Sequence, residues 1–196
     1  MSDVRLRDYD NRWYHPGRSL AWQVAWFLLG LPVLRSGILP SSALRVAMLR
    51  LFGARIGTGV VIKQRVNIKY PWHLAVGDDT WIGEDCWIDN LTLVSIGSNA
   101  CLSQGSYVCT GNHDWSDPHF GLKVAAVHLE EGAWLGAKAM LLPGVTMGRC
   151  SVATAGSVVT RSLPAYEIHS GNPARFVKKR EIAEASPAAL PEGVAR

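Results

Sequence analysis

Aliphatic residues recur along the middle of the chain at a fixed spacing. Ile56, Ile62 and Ile68 are followed by Val76, Ile82 and Ile88, then by Ile96, Leu102 and Val108. The series resumes at Leu129, Leu135, Leu141, Met147, Ala153 (the one weak member) and Val159. Within each run the step is six residues, and it widens to eight from Ile68 to Val76 and from Ile88 to Ile96. Four places after the aliphatics stands a column of small or modest residues: Val60, Val66, Thr80, Cys86, Thr92, Ala100, Ser106, Ala133, Ala139, Val145, Ser151 and Ser157. Trp72 and Asn112 break that column where the spacing itself is interrupted. An amphipathic helix repeats its apolar residues every 3.6 positions and a half-buried strand every second one, so neither accounts for both columns. A three-sided coil does. Each side is a short strand, each corner a tight turn, and each aliphatic residue stacks beneath its counterpart one coil away. The narrow interior explains the small second column. Such units bury a core only by stacking on one another.

Glycine often follows the aliphatic residue, as in "VGDDTW", "IGEDCW" and "LGAKAM", where it is expected to relieve the backbone at the corner. Three sixes make a coil, so coils begin at Ile56, Val76, Ile96, Leu129 and Met147, five in all. The flanks read differently. Leu20–Leu34 and Ala43–Phe52 have helical patterns and are expected to cover the open N-terminal end of the coil, with Ser41 or Ser42 capping the second helix. After Val159, "RSLPAYEIHSGNPARFVKKR" reads as a final turn, an extended crossover and a short basic C-terminal helix. The division expected is an N-terminal arm and helical cap over 1–52, a mainly β coil domain over 53–180, and a fraying Ala/Pro-rich tail over 181–196.

Composition adds bounds. A chain of 196 residues, 48% hydrophobic and 18% charged, suits one domain with a real core. The net charge of +4 favours a small anionic ligand over a nucleic-acid surface. Cys86, Cys101, Cys109 and Cys150 lack metal-ligand or disulfide-framework spacing and read as free thiols of a reducing cytoplasm. Met1–Arg18 is too polar for a signal peptide. The apolar run Leu20–Leu34 is shorter than the roughly 20 residues a spanning helix needs. It reads either as a helix packed on its own domain or a neighbouring subunit, or as peripheral contact at an inner membrane, helped by Trp13, Trp22 and Trp26.

One segment breaks the count. From Val108 to Leu129 the step is 21, which leaves 13 to 15 extra residues containing "VCTGNHDWSDPHF". On a stiff repeat, such a loop (109–126) is the expected carrier of function.

Four stretches, "RLFGARIG", "YPWHLAVGD", "VCTGNHD" and "SGNPAR", resemble the colanic-acid-biosynthesis branch of the maltose/galactoside O-acetyltransferase group among the hexapeptide-repeat transferases. The resemblance covers roughly residues 51–180. It implies a left-handed parallel β-helix, acetyl-CoA as donor, a sugar hydroxyl of an exopolysaccharide intermediate as acceptor, and a homotrimer with active sites between subunits. It makes His113 the general base. A neutral imidazole can take a hydroxyl proton as the new C–O bond forms, whereas an alcohol alone is too weak a nucleophile. Asn90 either orients the acceptor hydroxyl or serves a turn at an eight-residue corner. Asp114 either holds the imidazole tautomer or ends the loop, and Trp115 either lines the acceptor site or anchors the loop. The oxyanion donor is the backbone N–H of Ala137. Trp134 covers the cofactor arm or packs on the coil. Ala155 and Gly156 meet the pantetheine, Thr160 and Arg161 the nucleotide, and Arg175 with Lys178 its phosphates.

No metal is expected. A γ-type carbonic anhydrase on the same coil, with three histidines around zinc, would draw on His113, His119 and His128, but these lie in or beside one loop instead of on neighbouring coils. A non-catalytic scaffold is the other alternative. The N-terminal "RDYDNRWYHPGRS" does not match the maltose/galactoside enzymes, which leaves Asp10, Arg12 and His15 as either acceptor contacts or plain surface.

Overall fold

A computed structural model describes residues 3–183. The chain winds into a three-faced rod whose sides are strands of two or three residues, the architecture of a left-handed parallel β-helix. The first face stacks Arg55–Ile56, Leu74–Val76, Val94–Ile96, Val127–Leu129 and Thr146–Met147. The second stacks Val61–Ile62, Trp81–Ile82, Cys101–Leu102, Trp134–Leu135 and Val152–Ala153. The third stacks Asn67–Ile68, Trp87–Asp89, Tyr107–Cys109, Met140–Leu141 and Val158–Val159. Every pairing within these stacks is parallel, and the aliphatic residues lie in register: Ile62 on Ile82, Ile82 on Leu102, Leu102 on Leu135, Leu135 on Ala153. All four coil-to-coil steps of the second face therefore follow from the steps of six, the two steps of eight and the one long interruption. At roughly 1.5–3 kcal/mol for each fully buried Leu or Ile, the stacked column outweighs what such short strands gain from their few ladder bonds.

The second column faces inward as well. Val66, Thr80, Cys86, Ala133, Ala139, Ser151 and Ser157 are fully buried. Thr80 and Cys86 bond within the wall: Thr80 Oγ1 donates to the Gly97 carbonyl at 2.7 Å, and Cys86 Sγ lies 3.2 Å from Ser106 Oγ.

The corner works differently from the expectation above. The left-handed residue is the third after the aliphatic one, and Arg65, Asp79, Asp85, Asn99, Lys138 and Cys150 occupy that place as readily as glycine, with φ between 54° and 59°. The glycine directly after the aliphatic residue answers a steric demand instead. A Cβ on Gly136 would lie 2.6 Å from the Ala155 amide nitrogen of the next coil, closer than any side chain tolerates.

The N-terminal end of the rod is covered by helix. Leu20–Ala25, Trp26–Gly30 and Leu31–Arg35 are continuous, with a π turn in the middle where the Trp26 ring lies on Gly30. Trp26 is fully buried and its Nε1–H donates to the Ile68 carbonyl at 3.1 Å. A second helix, Ser42–Leu51, buries Val46 and Leu49. Ser41 caps it by accepting from the Leu44 N–H, while Ser42 Oγ accepts from the Ile62 N–H and ties the helix to the second face.

At the other end, five full coils are followed by part of a sixth. Leu163 bridges Met147 on the first face, and Glu167–Ser170 lies parallel to Val152–Ala153 on the second. The expected basic helix is corrected: Arg175–Lys179 is a strand, antiparallel to Glu167–Ser170. Gly171, at φ 97°, and Pro173 reverse the chain, and Phe176 and Val177 suit a strand that satisfies the free edge of Glu167–Ser170. Of the tail expected over 181–196, residues 184–196 lie outside the described residues.

Candidate active site

The 109–126 loop is a hairpin arm. Gly111–His113 pairs antiparallel with Leu122–Val124, and the Ala125 N–H closes its base on the Thr110 carbonyl at 2.9 Å. His113 faces Leu122 in this ladder, one step from the tip. Its Nδ1 lies 2.8 Å from the Phe120 carbonyl oxygen. A carbonyl only accepts, so Nδ1 carries the proton and the neutral ring keeps Nε2 as its free base. The Phe120 ring stacks on the imidazole with centroids 4.2 Å apart and planes 9° from parallel, while Tyr9 meets it edge-on at 5.7 Å. The imidazole is thus fixed in orientation by a stack, an edge contact and a hydrogen bond.

Asp114 does not hold the imidazole. Its Oδ1 accepts from the Ser116 N–H and hydroxyl, and its Oδ2 meets Lys123 Nζ at 2.7 Å. Lys123 and the two Ser116 donors hold the carboxyl well below the usual carboxylate range. Asp117 accepts from the His119 and Gly121 amides and organises the tip in the same way. Of the two readings of Asp114, the structure supports the loop-ending one. Trp115 is the most exposed aromatic residue in the vicinity, 82% accessible.

Asn90 serves the corner. Its side chain is fully buried, its Oδ1 accepting from the Tyr70 N–H at 3.0 Å and its Nδ2 donating to the Tyr70 carbonyl at 2.7 Å. Both ends of the amide serve the eight-residue corner one coil below, which supports the corner reading of Asn90. His128 belongs to the outer side of the first face, bonded to Ser95 Oγ at 2.6 Å, and His119 lies beside Asp117. Each of the three histidines has its own local partner, and among the described residues no group of three His, Cys, Asp or Glu side chains is placed to hold a metal ion. The four cysteines are free.

Sequence reasoning missed what covers His113. The N-terminal arm runs along the same edge of the rod: the Arg5 N–H bonds to the Pro118 carbonyl at the hairpin tip, Tyr9 meets His113, the Tyr14 hydroxyl donates to the Leu91 carbonyl at 2.6 Å, and Trp72 Nε1–H donates to the Pro16 carbonyl. Asp10 and Arg12 pair with each other at 2.6 Å, which lowers the Asp10 pKa to about 2. No local sequence signal links Tyr9 or Phe120 to His113, because both contacts depend on the folded path. Asp89 was missed too. It sits on this edge between Lys69, at 3.0 Å, and the Tyr107 hydroxyl, at 3.4 Å, in a groove of about 220 Å³ also lined by Phe27, Arg35 and Trp87.

The residues assigned to the donor fall into two groups. Thr160 and Arg161 follow Val158–Val159 and lie at the corner between third and first faces, the corner from which the His113 hairpin leaves. Ala137, Ala155 and Gly156 lie at the corner between second and third faces. Among the described residues no acceptor engages the Ala137 N–H. Trp134 points outward from the second face, in line with Val152 and Ile168. A bulge at Val177 then matters: Lys178 pairs with Ile168 and Arg175 with Ser170, so both cations share the outer side that carries Trp134. A helix was not needed to bring them together.

The stacked six-residue coils are the fold of the hexapeptide-repeat acetyltransferases, and the chain belongs to that family of acyltransferases. Over 136 residues it is 43% identical to the putative colanic acid biosynthesis acetyltransferase WcaF of Escherichia coli (strain K12), a match covering 69% of this chain and 75% of the relative. Among solved structures it is similar to the hexapeptide-repeat acetyltransferase VCA0836 of Vibrio cholerae complexed with acetyl coenzyme A, with a TM-score of 0.75, 21% identity, and 83% and 88% of the two chains covered. A galactoside acetyltransferase in complex with coenzyme A gives a TM-score of 0.74 at 21% identity, covering 82% of each chain. No family model matches the chain.

Proposed function

We propose that the protein transfers the acetyl group of acetyl-CoA to a sugar hydroxyl of a cytoplasmic glycan intermediate, with His113 as general base. The carrying observation is the Nδ1–H bond to the Phe120 carbonyl, which leaves Nε2 free as the base. In the proposed reaction Nε2 takes the proton of the acceptor hydroxyl while its oxygen attacks the thioester carbonyl. The Ala137 N–H receives the developing oxyanion, the C–S bond breaks, and the imidazolium returns its proton to the departing sulfur. Each atom is accounted for and His113 is regenerated. Base catalysis of this kind contributes roughly 10²–10⁴-fold.

Trp134, Lys178 and Arg175 on the outer second face form a path from the Ala137 corner to two cations, which suits an extended donor ending in phosphates. The aromatic and charged groove of Trp87, Asp89 and Lys69 supports a sugar as acceptor. His113 and Ala137 lie at different corners of one rod. A cyclic trimer that sets one subunit's hairpin edge against its neighbour's second-to-third corner unites them, and this supports an assembly with sites between subunits. Thiol release from acetyl-CoA, measured against free, nucleotide-linked and lipid-linked sugars, tests the proposal: release only with a sugar present supports it, and no release with any member of the panel counts against it.

A further inference from the structure

We infer that the helical cap docks the protein onto an anionic phospholipid surface. The inference stands independently of the acetyl-transfer reading. Along the first cap helix Trp26, Gly30 and Leu34, four residues apart, turn toward the rod and are buried. Leu20, Val24 and Leu28, also four apart, turn outward and are exposed, with Phe27 and Leu29 beside them. Single exposed leucines are ordinary, but a helix apolar on both faces has a second surface to cover.

A second observation concerns the turn between the cap helices. Ile38 stands 93% exposed at its tip. The turn is built rigidly: the buried Arg45 guanidinium donates to the carbonyls of Ser36, Leu39 and Ser41, and Ser36 Oγ accepts from the Ile38 and Leu39 amides. An arginine buried to fix a loop that presents a bare isoleucine is costly unless that isoleucine is used.

Charge selects the occupant. Between Asp10 and Asp78 the chain has no Asp or Glu, yet it carries nine Lys and Arg: Arg12, Arg18, Arg35, Arg45, Arg50, Arg55, Lys63, Arg65 and Lys69. Arg65 and Lys69 are paired with Asp85 and Asp89 of the next coil, whereas Arg18, Arg35, Arg50 and Arg55 are exposed and among the described residues meet no carboxylate. Two copies packed cap to cap would bring arginine against arginine with no acid on either side. An anionic lipid surface neutralises the rim and takes up the apolar face at once. No helix of the described residues is long and apolar enough to cross a membrane, so the cap lies in the interface.

The test is flotation of the full chain with vesicles of phosphatidylcholine alone or mixed with phosphatidylglycerol, at low and high salt. The expected result is flotation with the mixed vesicles at low salt, its loss at high salt or on pure phosphatidylcholine, and its loss in the L28E/I38E double variant. Light scattering and circular dichroism run alongside. Should the double variant misfold, Ile38→Ser, at a fully solvated side chain, replaces it and is expected to weaken flotation. Absence of wild-type flotation overturns the proposal, as does flotation equal on both vesicle types. A wild-type oligomer that L28E/I38E breaks, without flotation, overturns it in favour of an interface between copies.

Discussion

His113 and Phe120 stack across the hairpin with ring planes 9° apart, and the same Phe120 supplies the carbonyl that fixes the imidazole tautomer. One residue thereby sets both the orientation and the protonation pattern of the proposed base. Its backbone is in the left-handed region, at φ 55°, which turns that carbonyl back toward the ring.

Phe120→Ala keeps the carbonyl and removes the stack. We expect kcat to fall by roughly 10- to 100-fold, the scale of a misplaced catalytic group, with the KM for acetyl-CoA unchanged. Steady-state kinetics against both substrates separates the two. A variant with unchanged kcat would show that the stack is dispensable.

Asn90→Ala tests stability. It leaves the Tyr70 N–H unpaired in a buried corner, at about 1–3 kcal/mol, and removes one of the two bonds to the Tyr70 carbonyl, which keeps the His73 N–H. Thermal unfolding is expected to show a lowered Tm while kcat per folded enzyme stays near wild type. A large loss of kcat without loss of Tm would restore Asn90 to the chemistry.

Gly136→Ala and Lys138→Gly separate the two demands of one corner. The first places a methyl carbon 2.6 Å from the Ala155 nitrogen and is expected to cost about 1–3 kcal/mol, as overpacking does. The second relieves a lysine at φ 56° and is expected to be neutral or to stabilise by up to about 1 kcal/mol. Chemical denaturation measures both, and the reverse order of effects would refute this account of the corner.

Arg175→Ala and Lys178→Ala should each raise the KM for acetyl-CoA by about tenfold, the scale of one charge-assisted bond, and leave kcat within about twofold. Repeating the measurement with a donor lacking the 3′-phosphate shows which cation meets that group, since its variant then costs less. Unchanged KM in both variants would remove the outer second face from the donor path.

Much of the fold was legible in the sequence because the interior of the rod accepts one pattern. Ile62, Ile82, Leu102 and Leu135 must stack in register, and any other spacing would push an aliphatic side chain outward. The corners were less legible. Asp79, Lys138 and Cys150 adopt a left-handed backbone that composition does not announce, and the visible glycines mark close approach instead. Asn90 stayed open between two readings because one residue type serves a polar site and a tight corner equally. The strand Arg175–Lys179 was hidden by its basic run, although Gly171 and Pro173 already marked the reversal. The hairpin histidine stood out by interrupting the count, but its cage of Tyr9 and Phe120 exists only once the N-terminal arm is laid along the edge.

The most direct test of the central claim is acceptor-dependent thiol release from acetyl-CoA by wild type and His113→Ala, with coenzyme A affinity measured on both. The account predicts a fall in kcat of roughly 10²–10⁴-fold with coenzyme A affinity within about twofold of wild type. Wild-type turnover in the alanine variant would contradict it.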